Sequence, residues 1–225
     1  MTRRVAIIHA VPPLVSMFHE LTLELMPDVD VLHLADGGLL RELRASGSLT
    51  PQLGDRLASL ARQAEAYGAE VIMFNCSSLS PLVEAVKAEV KVPVFPVDEA
   101  MADLAVELGR RIGVLATLSN TLGPTSDLVR QRAALKGSEV DVEAILCEGA
   151  FDALGRGDAD AHDRIVLDNL TRLMERVDVV VLAQASMARV VQRLPQAKRR
   201  VPVLTSPRLG VERLRDVLKG LHPKA

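Results

Sequence analysis

The chain has 225 residues, 48% of them hydrophobic and 25% charged, with a net charge of −2 and aromatic residues at only 2%. That length allows one large domain or two small ones, and the composition is that of a soluble globular protein with a sizeable core. The basic surface and stacking rings that nucleic-acid binding needs are missing, and no apolar segment approaches the about 20 residues that cross a bilayer. The start "MTRRVAIIHAVPP" meets prolines too early for a secretory signal, so the expected compartment is the cytoplasm. Thiols stay reduced there, and Cys76 and Cys147 are expected unpaired rather than as a structural disulfide.

Short β-branched runs alternate with amphipathic segments along the chain. Strands are predicted at Val5–His9 and Val29–Leu34, then a helix at Arg56–Tyr67 and a strand at Val71–Phe74. A helix at Pro81–Val90, a strand at Val92–Val97 and a helix at Glu99–Leu108 follow. The remainder reads as strand Arg111–Leu118, helix Ser126–Leu135, strand Val140–Leu146, helix Asp163–Arg176, strands Asp178–Leu182 and Val201–Thr205, and helix Gly210–Leu218. Lys198-Arg199-Arg200 reads as a solvated loop. The alternation predicts a parallel α/β architecture.

An internal repeat divides the chain. "GAEVIMFNCSSLSPLVEAVKAEVKVPVFPVDEA" and "RVDVVVLAQASMARVVQRLPQAKRRVPVLTSPRLG" share an acidic residue, an apolar strand, a small polar turn, a helix and Val-Pro-Val. Placing Glu70 on Asp178 sets Cys76 opposite Gln184 and Ser78 opposite Ser186, whereas aligning the Val-Pro-Val segments without a gap sets Cys76 opposite Ala185. Two similar halves predict two lobes with a cleft between them, 1–98 plus 206–225 forming the first and 99–205 the second. Ligands of parallel sheets bind beyond the carboxyl ends of the strands, and "NCSS" (Asn75 to Ser78) and "AQAS" mark two such ends.

Ser80-Pro81 reads as an N-cap and first helical residue, which would put Cys76 just ahead of a helix N-terminus whose dipole favours an anion. Ser77 and Ser78, with the N–H groups of the turn, are candidates to hold a developing enolate oxygen. His9 ends the first strand, and a site role and a packing role both stand open. Thr117, Ser119, Asn120 and Thr121 in "GVLATLSNTLG" are suited either to gripping an anion or to capping a helix. For His33 and Asp36 a plain Asp-Gly-Gly loop is favoured over a hydrogen-bonded pair. His19, His162 and His222 are expected at the surface, and Cys147 as a small core thiol. There is no G-x-G-x-x-G, G-x-x-x-x-G-K-[ST] or G-x-S-x-G, and no His/Cys cluster with metal-ligand spacing. No metal or cofactor is expected.

Taken in order, "VPP" after the first strand, "NCSS", "IGVLATLSNT", "AQAS" and "VPVLTSP" resemble the aspartate/glutamate racemase superfamily. That superfamily includes hydantoin racemases, maleate isomerases and arylmalonate decarboxylase, and the resemblance spans nearly the whole chain. It implies two pseudo-symmetric Rossmann-like lobes, a cofactor-independent site between them, a small carboxylate substrate and a homodimer. It also implies carboxylate binding by the threonine-rich turn, carried here to Thr117 and Thr121. Members typically carry a cysteine in each lobe, one removing the proton α to a carboxylate and the other delivering a proton to the opposite face. Here Cys76 keeps the first role, while Gln184 or Ala185, with Ser186 nearby, fills the second place, and neither Gln nor Ala acts as an acid or base at neutral pH. The expected function is a racemase/isomerase-family reaction through an enediolate with one cysteine as general acid/base. A decarboxylase or lyase of the arylmalonate type, and a carboxylate-binding protein without turnover, are the alternatives.

Overall fold

A computed structural model describes residues 2–196 and 199–221, so Lys198 of the basic cluster and His222 lie outside the described residues. The chain divides into two compact units, Met1–Val97 with Pro207–Ala225, and Asp98–Ser206. In chain order the first unit contains β1 (Arg4–His9), α1 (Val15–Leu25), β2 (Asp30–Ala35), α2 (Gly37–Ser46), α3 (Pro51–Ala66), β3 (Val71–Asn75), α4 (Val83–Lys87) and β4 (Val94–Pro96). The second contains α5 (Glu99–Leu108), β5 (Arg111–Ala116), α6 (Ser119–Leu135), β6 (Asp141–Leu146), α7 (Ala150–Gly155), α8 (Ala159–Leu173), β7 (Val179–Leu182), α9 (Ala188–Arg193) and β8 (Val203–Thr205). Helix α10 (Ser206–Gly220) then returns to the first unit.

Each unit is built on a four-stranded sheet, ordered β2-β1-β3-β4 in the first and β6-β5-β7-β8 in the second, with every pairing parallel. Helices cover both faces of such a sheet, so its central strands are apolar without alternation, and β3 and β7 are buried at every residue. In the first unit, α2, α3 and α4 pack Leu39, Leu43, Leu57 and Val86 against Ile72 and Phe74 on one face. Helices α1 and α10 pack Phe18, Val211 and Leu214 against Ile7 and Met73 on the other. In the second unit, Val166, Leu170 and Leu173 of α8 and Val190 of α9 join Val180 and Leu182 in one core.

The acidic residue that opens each repeat has a structural task. Glu70 accepts from the Arg3 guanidinium (2.8 Å) and from the Arg4 N–H (3.3 Å). Asp178 accepts from the Arg111 guanidinium (2.7 Å) and from the N–H groups of Arg110 (3.1 Å) and Arg111 (2.9 Å). Both carboxylates therefore tie the first strand of their unit to the third, and the Arg111 bonds hold the Asp178 pKa down to about 2.

Several local expectations need correction. Pro81–Val90 does not form one helix, because a 3-10 segment, Ser77–Leu82, comes first and only Val83–Lys87 is α-helical. The turn already closes at Cys76, whose carbonyl accepts from the Leu79 N–H at 3.0 Å, so Cys76 rather than Ser80 stands at the N-cap. Helix α6 starts at Ser119 and not Ser126, its first turn closed by the Thr121 and Leu122 N–H groups on the Leu118 carbonyl, both at 3.1 Å. Pro124 sits inside this helix. Asp-Gly-Gly is no loop either: Asp36 caps α2 by accepting the Gly38 N–H at 2.9 Å, and its other oxygen pairs with Arg56 at 2.6 Å. His162 is buried rather than at the surface, because α8 begins three residues before it and turns it inward beside Asp163.

Candidate functional site

In the first unit the ends of β1 and β3 lie side by side, with His9 in register with Asn75. The Asn75 amide nitrogen is 3.0 Å from His9 Nδ1, and His9 Nε2 is 2.9 Å from His33 Nδ1. A neutral His9 that accepts from Asn75 at Nδ1 carries its proton on Nε2, where it donates to His33. His9 is fully buried, its ring centroid 5.7 Å from that of Phe18 in an edge-to-face arrangement, and burial first, His33 second, lowers its pKa to about 4. Burial and the nearby His19, whose ring centroid is 5.4 Å away, lower His33 as well. The three imidazoles form a file from the buried strand end out to exposed His19.

One residue beyond Asn75, Cys76 has an extended backbone (φ −164°, ψ 105°) and is half-buried against the core on the α2–α4 side. Ser77 is half-buried and Ser78 buried in the following turn. In the second unit Gln184 occupies the matching place. It lies five residues beyond Val179, as Cys76 lies five beyond Val71, and these valines pair with the equivalent strand residues Ile112 and Val5. Gln184 also has an extended backbone (φ −135°, ψ 137°) and also precedes a 3-10 turn, Ala185–Met187. The counterpart of Cys76 is therefore Gln184, and Ala185 is the first residue of the turn.

Gln184 is not idle. Its side-chain oxygen accepts from the Thr117 backbone N–H at 2.5 Å and from Thr117 Oγ1 at 3.0 Å. Thr117 itself is 6% exposed, at the end of β5. Asn120 and Thr121 lie in the first turn of α6, Thr121 buried and Asn120 with a buried Oδ1 that has no hydrogen-bond partner among the described residues. Ser186 is half-buried in the turn after Gln184. Cys147 directly follows β6 and is fully buried, and burial pushes its thiol up to about 12, which suits a core residue and not a proton carrier.

The sequence brought Cys76, Ser77 and Ser78 to one strand end, and Thr117, Asn120, Thr121, Gln184, Ala185 and Ser186 to two adjacent ones. It missed the His9–His33 contact and the Thr117–Gln184 bonds, which are made between strands far apart in the chain. It also missed a cluster around the buried Asp163, which is 2.7 Å from the buried His162, 2.9 Å from Arg189 and 3.1 Å from Arg193, both arginines being half-exposed. Among the described residues no group of His, Cys, Asp and Glu is arranged to hold a metal ion, and no helix is long and apolar enough to cross a membrane.

The model of the Asp/Glu/hydantoin racemase family matches residues 13–214. No curated protein matches the chain. Among solved structures, an aspartate racemase homologue from Pyrococcus horikoshii is similar with a TM-score of 0.73 at 16% identity, over 97% of this chain and 100% of the other. An allantoin racemase from Klebsiella pneumoniae is similar with a TM-score of 0.72 at 17% identity, over 99% and 90% of the two chains. An arylmalonate decarboxylase is similar with a TM-score of 0.64 at 17% identity, over 97% and 94%. At these identities the likeness is one of fold.

Proposed function

The chain belongs to the Asp/Glu/hydantoin racemase family, enzymes of the racemase/isomerase type, and from that premise we propose a cofactor-independent reaction at the carbon α to a carboxylate, with Cys76 as the single general acid/base. Stabilising the enediolate is the hard part of such chemistry, because the α-proton of a carboxylate is very weakly acidic. Fixed donors aimed at the developing oxyanion supply that stabilisation. Ser77, Ser78 and the N–H groups of their turn are the proposed donors of the first unit, while Thr117, Asn120, Thr121, Gln184, Ala185 and Ser186 are the proposed substrate-binding residues of the second. His9 and Asn75 support the strand end that carries Cys76.

The observation that supports a one-sided reaction is the equivalence of Cys76 and Gln184. An amide side chain neither takes nor gives a proton at neutral pH. A symmetric racemisation needs an acid on one face and a base on the other, whereas an isomerisation or a decarboxylation needs a proton on one face only. Cys76 then protonates the enediolate on its own side, and one stereoisomer results.

The test is turnover of candidate small carboxylates in heavy water, with product stereochemistry followed. The proposal expects deuterium at the α-carbon of a single stereoisomer, with or without release of carbon dioxide, and loss of turnover in Cys76→Ala. Turnover that survives Cys76→Ala would overturn it, and wash-in accompanied by racemisation would overturn its one-sidedness. The same amide in the acid's place also favours a second reading, a carboxylate-binding protein without turnover. Carboxylate binding that survives Cys76→Ser, with no product formed by the parent protein, would select that reading.

A further inference from the structure

A backbone N–H can only donate, so the atom that faces the Thr117 N–H at 2.5 Å must be an acceptor, which fixes the side-chain amide of Gln184 with Oε1 inward. The Thr117 hydroxyl, 3.0 Å from the same oxygen, donates to it as well. The amide is planar, so with Oε1 held by Thr117 the N–H of Nε2 that lies trans to Oε1 points away from Thr117. Both donors of Thr117 are thereby spent on one partner. The position that holds Cys76, the proposed general acid/base, in the first unit holds, in the second, an oriented N–H donor.

We propose that Gln184 Nε2 is the donor that binds a ligand carboxylate or enediolate oxygen at the second strand end, and that Thr117 is the positioning residue that holds the amide this way round. The inference deepens the proposed function and rests on its substrate class, a small carboxylate. It moves the carboxylate contact from Thr117 to Gln184. It also gives a physical reason for an amide there, since an N–H donor stabilises negative charge without surrendering a proton. A donor locked in advance by two hydrogen bonds loses little rotamer freedom when the ligand arrives.

Nitrogen-15 NMR with sodium acetate as the probe tests this. The Gln184 side-chain NH2 resonances are expected to shift saturably with acetate, while the Thr117 amide keeps its position. Gln184→Glu retains an oxygen for both Thr117 donors but replaces the presented NH2 by a carboxylate oxygen. It should leave the Thr117 amide in place and weaken acetate, read at Ser186, by about tenfold or more. Thr117→Val should weaken acetate several-fold, and Thr117→Ser should restore it.

A Gln184 NH2 pair that ignores acetate across the millimolar range overturns the assignment. So does a Gln184→Ala variant that binds acetate more tightly with the Thr117 amide shifting, since Thr117 would then be the ligand. These outcomes are separate from the catalytic reading. Silence at Gln184 with Cys76-dependent turnover intact removes only this inference, and turnover that survives Cys76→Ala removes only the role of the thiol.

Discussion

His9 shows how much of a residue's chemistry lies in its surroundings. With its pKa lowered from 6.5 to about 4, the folded protein keeps this imidazole neutral where the unfolded chain would protonate it. Between those two values the unfolded state binds the extra proton, so stability falls as pH falls through the window and is fully present above it. The contribution of His9 has an upper bound on the order of 3 kcal/mol. His33, lowered by burial and His19, acts in the same direction. Urea unfolding at pH 7 and pH 4.5 should therefore show a marked loss of stability at the lower pH, and His9→Gln should flatten that dependence while lowering stability at pH 7. Unchanged pH dependence in His9→Gln would place the titration elsewhere. A histidine at the end of the first strand was visible in the sequence. Its partners were not, because Asn75 and His33 reach it only through the sheet register.

Helices α8 and α9 are joined by a cluster that periodicity cannot reveal. Asp163 is 1% exposed and faces His162, Arg189 and Arg193. Removing the carboxylate leaves the buried His162 ring without its partner while the half-exposed arginines turn to water, and Asp163→Ala should lower stability by about 2 kcal/mol, measured from the urea midpoint. Asp160, exposed and paired with the same Arg193, should leave the midpoint almost unchanged when replaced by Ala. Since α9 directly follows the turn that carries Gln184, Asp163→Ala should also broaden the Gln184 side-chain resonances. The errors at this scale were of one kind. "SSLSP" and "LSNTLGP" hold residues of poor helical propensity, and in both places the chain turns helical earlier than the propensities allow. Burial of Leu79, Thr121 and Thr125 outweighs those weak local preferences.

At the scale of the whole chain, α10 completes the first unit from the far end of the sequence, and its Gly210 packs closely on Val97 and on Met73 of β3. A Cβ there would lie 2.8 Å from Val97 Cγ2, 2.9 Å from the Val97 carbonyl oxygen and 3.1 Å from Met73 Sδ. Gly210→Ala should destabilise by about 1–2 kcal/mol despite the better helix propensity of Ala. Gly54 of α3 has, outside its own helix backbone and among the described residues, nothing within 4 Å of such a Cβ, so Gly54→Ala should stabilise by up to about 1 kcal/mol in the same urea assay. The sequence by itself determined the α/β class, the repeat and the strand end that carries Cys76. Apolar periodicity, turn residues and self-similarity are local properties of a chain. Only the tertiary structure decided that Gln184, and not Ala185, matches Cys76, that Thr117 donates twice to the Gln184 side-chain oxygen, and that burial keeps His9 neutral at pH 7. Each of these depends on which strand ends the hydrogen-bonded register sets side by side, and residues more than 60 positions apart meet there for reasons that no local pattern records.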